Sequence, residues 1–146
     1  MKKFFVIGNK VSKSLSPTIF NYWFKKYNID AHYSHLELND KNFESKIKEL
    51  LLKRDLVGLN ITMPFKQKIM RHIIEFDQHA KKINAVNCVS IKKKSKGFNT
   101  DWEGYYKTLP RMKNIKNKKI VILGYGGAAL AIHYLLKTKG CNQITI

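Results

Sequence analysis

The sequence predicts an α/β protein: an open, mostly parallel, three-layer α/β/α domain followed by the start of a second βαβ-type domain. Three observations carry this reading. Short apolar runs rich in Phe, Val and Ile alternate with segments of helical periodicity. Polar side chains gather where those runs end. Near the end of the chain a glycine-rich turn, GYGGAA at residues 124–129, falls between a strand-like run and a helix-like one.

Taken in order, residues 3–8 form a short apolar run that reads as a buried strand. A helix follows, with Ser16 as its expected N-cap, Pro17 at the first helical position, and Ile19, Phe20, Trp23, Phe24 and Tyr27 at helical spacing. Residues 31–38 alternate as a second strand. Phe43, Ile47, Leu50, Leu51 and Arg54 mark a second helix starting near Asp40 or Asn42. Residues 56–61 read as a third strand, and 65–76 as a helix with Ile69, Ile73 and Phe76 on one face. Residues 85–91 and 96–99 flank the turn-like KKKS and suggest an antiparallel hairpin. Residues 101–109 read as a short helix capped by Thr100. Residues 1–109 are thus expected as one domain and 110–117 as a polar linker, with 118–146 supplying a single strand–turn–helix–strand unit. A nucleotide-binding sheet normally has two βαβαβ halves, so the sequence is expected to be a truncated product of a longer frame.

At 146 residues the chain is sized for one full domain, able to bury roughly two-thirds of its unfolded surface. Its 44% hydrophobic content is globular rather than disordered. The formal charge is +18, but of 28 basic residues only Arg54, Arg71 and Arg111 are arginine, and the lysines are dispersed. Nucleic-acid binding normally uses arginine forks and a concentrated patch, so no nucleic-acid partner is expected. Cys88 and Cys141 are too few for a disulfide framework. The longest apolar stretch, residues 120–132, contains three glycines and is too short to span a bilayer. A cytoplasmic protein without a membrane partner is expected. His32, His35, His72, His79 and His133 lack zinc-ligand spacing, so no metal is expected.

In an open α/β sheet, ligands bind at the carboxyl ends of the strands. Ser12, Ser14 and Ser16 follow the first strand, while Asn60, Thr62 and Lys66, in NITMPFK, end and follow the third. Asp101 follows the strand ending at Asn99, and Asn87 stands at the start of its hairpin partner. Each has an ordinary structural role when taken alone: Ser16 as a cap, Thr62 and Asn87 as turn residues, Asp101 as a first-turn charge. Their convergence on one edge argues for a ligand rim.

The GYGGAA turn fits a dinucleotide fingerprint and so marks the second domain as Rossmann-type. Gly124 allows the tight turn, Gly126 permits close approach of a pyrophosphate, and Ala129 replaces the third glycine where helix and strand pack.

GNKVSKSLSPTIFN, NITMPFK, NAVNC and NTDWEG, followed by GYGGAA, resemble shikimate dehydrogenases in order and spacing along the whole chain. The resemblance implies NADPH-dependent reversible reduction of 3-dehydroshikimate to shikimate, a step in aromatic amino-acid biosynthesis. It implies that Ser14 and Ser16 hold the substrate carboxylate, and that Asn60, Thr62, Asn87 and Asp101 surround the ring hydroxyls. Lys66 would stand beside the reacting oxygen, with Lys66 and Asp101 the catalytic pair. Gly124, Gly126, Gly127 and Ala128 would meet NADP. Lys13, Phe20 and Cys88 depart from the usual His, His and Thr of the family. A quinate/shikimate dehydrogenase shares the same motifs, and a non-catalytic shikimate-binding fragment is the other alternative. Beyond the small-molecule substrate, the only expected partner is a second copy of the chain in a homodimer.

Overall fold

The computed structural model describes residues 1–109 and 115–146. Strands β1 (Lys2–Gly8), β2 (Ala31–Glu37), β3 (Leu56–Ile61), β4 (Glu75–Phe76), β5 (Cys88–Ile91) and β6 (Ser95–Phe98) form one sheet in the order β2-β1-β3-β5-β6-β4. β1 pairs in parallel with both β2 and β3, and β4 is parallel to β6. Only β5 is reversed, pairing antiparallel with β3 and β6. β6 therefore runs in the same direction as β1 to β3, and the start of β5 meets their carboxyl ends.

Side-chain alternation along β1 builds the three layers, because successive residues of a strand face opposite sides. Phe4 and Val6 face helix α1 (Ser16–Lys26), whose Phe20 and Phe24 join them with Val11 and Tyr33. Phe5 and Ile7 face helix α2 (Phe43–Leu51), which buries Phe43, Ile47 and Leu50. Phe43 stacks on Phe65 at 4.3 Å between ring centres, and both are fully buried. Truncating either aromatic in such a core costs about 3–5 kcal/mol, more than any exposed ion pair on this surface contributes.

Two local expectations need correction. Residues 65–76 do not form one helix. A 3-10 segment, Lys68–His72, is followed by β4. The chain leaves the helical path because the amide of Ile74 donates to Ser95 Oγ and that of Asp77 to the Gly97 carbonyl, drawing the segment onto the sheet edge. Asp77 then caps a new short helix, α3 (Gln78–Ile83), accepting from the amides of His79 and Ala80. Nor does Ser16 cap α1. The helix begins there without a side-chain cap, and the Ser16 hydroxyl instead accepts from Ser14 Oγ at 3.2 Å.

Helix α4 (Asp101–Thr108) follows β6 directly. The expected linker at 110–117 lies outside the described residues over 110–114, and Ile115–Asn117 is a 3-10 turn. Strands β7 (Lys119–Val121) and β8 (Gln143–Thr145) then form a separate parallel pair, connected through helix α5 (Gly127–Thr138). No helix among the described residues is long and apolar enough to cross a membrane.

Candidate active site

The rim expected from the sequence is a single cleft of about 530 Å³, lined by Ser14, Ser16, Asn60, Thr62, Lys66, Asn87 and Asp101. The sheet explains their meeting. Asn60 pairs with Cys88 across β3 and β5, and Cys88 pairs with Phe98 across β5 and β6. The ends of β3 and β6 and the start of β5 thus share one edge, and the serine loop enters from β1 beside them.

Lys66 Nζ donates to Asp101 Oδ2 at 2.6 Å, and the two side chains are only 15% and 29% exposed. Every other lysine–carboxylate pair among the described residues leaves at least 40% of each side chain exposed, where ion pairs contribute little. Lys66–Asp101 is the pair whose geometry is fixed by its surroundings. The other Asp101 oxygen accepts from Asn87 Nδ2 at 2.7 Å, and its amide donates to Asn99 Oδ1 at 3.1 Å. Asn99, 2% exposed, is itself held by the Ala85 carbonyl at 2.9 Å. Asn87 also donates to Thr100 Oγ1 and accepts from the Thr100 amide, each at 3.0 Å. Asn87 thus fixes the carboxylate while it lines the cleft. Thr100, expected as a cap, makes no side-chain cap bond because Asn87 engages its hydroxyl.

Tyr33 was not singled out in the sequence, where it is one residue of an alternating strand. It is 2% exposed and stacks on Phe20 at 4.8 Å, while its hydroxyl donates to Asn60 Oδ1 at 2.7 Å. Burial pushes that hydroxyl up to about 12, so it remains a donor at neutral pH. With Oδ1 engaged, Asn60 offers its amino group to the cleft, where among the described residues it meets the Asn87 carbonyl at 3.5 Å. Burial also raises Cys88, keeping the thiol neutral beneath the rim. Glu37 was missed too: its Oε1 accepts the Val11 and Ser12 amides, both at 2.8 Å, and so shapes the serine loop.

Thr62 and Lys66 also line a second cavity of about 380 Å³, with Gly126, Gly127 and Ala128 on its other wall. Gly124 has φ of +109°, a conformation that favours glycine. A Cβ on Gly126 would meet nothing within 4 Å, and α5 carries no side-chain cap. Open space in front of uncapped helix amides fits an anionic group such as a phosphate. No group of three or more potential metal ligands occurs among the described residues.

A mostly parallel sheet with a lysine–carboxylate pair on its carboxyl-end rim, set beside a glycine turn that opens a helix, defines the chain as an α/β protein. Residues 6–89 match the shikimate dehydrogenase substrate binding domain, and the chain belongs to the shikimate dehydrogenase family. It is 40% identical to the NADP(+) shikimate dehydrogenase of Oceanobacillus iheyensis over 97% of this chain and 53% of that protein. The corresponding figures for the Clostridium perfringens enzyme are 41%, 100% and 54%. The crystal structure of shikimate dehydrogenase from Thermotoga maritima superposes with a TM-score of 0.85 at 37% identity, covering 97% of this chain and 53% of that one. The Thermus thermophilus enzyme in complex with NADP(H) and shikimate gives 0.78 at 27% identity, over 96% and 53%. The chain spans about half the length of these relatives.

Proposed function

We propose that the chain carries the substrate-binding and catalytic part of an NADPH-dependent enzyme that reversibly reduces 3-dehydroshikimate to shikimate. The observation that carries this reading is the Lys66–Asp101 contact of 2.6 Å, in a cleft that also holds Ser14 and Ser16. NADPH, when bound, supplies the hydride. Gly124, Gly126, Gly127 and Ala128 would hold its phosphates at the start of α5, where peptide dipoles favour negative charge.

The remaining steps belong to this chain. Ser14 and Ser16 donate hydroxyls to the substrate carboxylate. Asn60, oriented by Tyr33, and Thr62 bond the ring hydroxyls, with Asp101 accepting from a neighbouring one. Reduction of a ketone places charge on its oxygen, and an ammonium held close by both stabilises that charge and donates the proton. Lys66 takes this role, and Asp101 fixes the direction of its Nζ. In the reverse direction neutral Lys66 accepts the proton from the shikimate hydroxyl.

We propose the same division of the chain as the sequence suggests: residues 1–109 as substrate domain, 110–117 as linker and 118–146 as the start of a Rossmann domain. The separation of the six-stranded sheet from the β7–β8 pair supports it. The two cysteines make no disulfide, which suits a cytoplasmic setting.

The test is oxidation of NADPH by the chain with 3-dehydroshikimate, alongside calorimetry with shikimate and with quinate. Heat with shikimate is expected, and turnover with 3-dehydroshikimate would make this length of chain catalytic. Heat without turnover identifies a binding fragment, equal use of quinate a broader dehydrogenase, and neither heat nor turnover removes the reading.

A further inference from the structure

The three glycines of the GYGGAA turn have different surroundings. Gly124 is set by its backbone, and Gly126 faces open space. A Cβ on Gly127, the first residue of α5, would lie 2.8 Å from Lys66 Cβ and 3.0 Å from Lys66 Cδ, with Ala85 Cβ at 3.4 Å. Contacts below 3.0 Å are essentially never seen for a real Cβ, so a methyl group there forces something to move.

Neither side yields freely. The Lys66 carbonyl accepts from the Val86 amide at 2.7 Å, and its ammonium is held by Asp101 at 2.6 Å. Helix α5 is anchored by Ala131 against Ile83 and Ala85, and by Tyr134 Oη, which lies 2.9 Å from His79 Nδ1. His79 in turn stacks on Trp102, the neighbour of Asp101, at 4.4 Å. The strain of an added methyl therefore falls on the lysine stem, since close-packed groups transmit displacement rather than absorb it.

We propose that Gly127 is a positioning residue for Lys66: the absence of a side chain at the start of α5 leaves the channel along which the lysine stem reaches Asp101. The helix that opens the glycine turn thereby also sets where the ammonium stands. The consequence for turnover rests on the role assigned to Lys66 above, whereas the steric coupling does not.

The experiment compares Gly127→Ala with Gly126→Ala in the full chain, reading the Lys66 and Asp101 side-chain carbons by NMR without cofactor, then NADP⁺ affinity and turnover. Gly127→Ala is expected to shift the Lys66 and Asp101 resonances. Its turnover at saturating NADPH should fall about 10–100-fold, as misplacement by about 1 Å does, beyond whatever NADP⁺ affinity is lost. Gly126→Ala is expected to weaken NADP⁺ and leave the Lys66 resonances in place. Unmoved Lys66 and Asp101 resonances in Gly127→Ala, or a loss confined to NADP⁺ affinity, overturn the proposal. If the parent chain lacks turnover, the enzymatic reading fails while the NMR comparison still decides this one. Should Gly127→Ala fold poorly, its loss of thermal stability is measured again with Lys66→Gly, where the loss should shrink by at least about half on removal of the clashing stem. An equal loss in both backgrounds overturns the proposal.

Discussion

The two ends of the cleft are built differently. At the β5–β6 end, Lys66, Asn87, Asn99, Thr100 and Asp101 form a connected set of hydrogen bonds of 2.6–3.1 Å, anchored in the buried Asn99. At the β1 end, Ser14 and Ser16 share longer contacts of 3.2 and 3.3 Å on a loop tied mainly through Glu37. A proton donor needs fixed geometry, whereas a carboxylate clamp tolerates hydroxyls that rotate to meet it. With the roles proposed above, the difference suits chemistry at the first end and capture at the second.

Removing the lysine breaks the comparison most severely. In the enzyme completed to the length of its relatives, Lys66→Ala is expected to lower turnover by at least about 100-fold, the lower end for loss of a general acid or base. Shikimate affinity, measured by calorimetry, should change much less. Unchanged turnover would remove Lys66 from the chemistry and leave both ends as binding surfaces.

Asn87→Ala asks whether the rigidity itself matters. It deletes the bonds to Asp101 Oδ1 and to the Thr100 hydroxyl and amide, leaving groups that cost about 1–3 kcal/mol each when buried without a partner. The partial exposure of this rim places the expected loss at the lower end of that range in urea unfolding. Turnover should fall about tenfold. A stability loss without a turnover loss would make Asn87 purely architectural.

Tyr33→Phe lies between the two ends, because Tyr33 on β2 orients Asn60 on β3 across β1. Loss of one hydrogen bond predicts a cost of about 0.5–1.5 kcal/mol and a few-fold weaker binding of shikimate. The parent chain should also show an alkaline signature. Tyr33 holds its proton up to about 12 in the folded state against 10.0 ordinarily. The unfolded chain loses that proton first, so stability falls as pH rises through the interval between the two values. The Phe variant should lack that component in unfolding measured across the same pH range.

Much of this site is legible in the sequence because its residues sit at strand ends, where topology alone gathers them. Asn60, Thr62, Lys66, Asn87 and Asp101 needed only the direction of β6 to share an edge, and the structure supplies it by placing the reversed β5 between β3 and β6. What escaped is lateral. Tyr33 on β2 reaches Asn60 on β3 across the intervening β1, and Glu37 reaches the serine loop across 25 and 26 residues, contacts that local periodicity does not encode. The misread segment at 65–76 has the same cause. Its apolar spacing suits a helix, but Ser95 and Gly97 take its backbone onto the sheet edge.

The smallest effect sharpens the softer end. Glu37 lies below the usual carboxylate range, first because of its bonds to Ser12 and then because of the Val11 amide, with the His35 charge adding to them and burial opposing. A lowered value means the unfolded chain takes up the proton first as pH falls. The stabilising contribution is therefore present above about 4.3, the ordinary glutamate value, and is lost as pH drops through the lower folded value. The expected outcome is release of the Val11 and Ser12 amides in acid, seen by NMR as a step in their shifts and a rise in hydrogen exchange. Glu37→Gln should abolish the step and weaken shikimate at neutral pH by no more than about threefold, since interactions of exposed charges are small. If the step persists in that variant, another group holds the serine loop. If the variant instead loses turnover as Lys66→Ala does, the contrast between a rigid chemical end and an adaptable capture end fails.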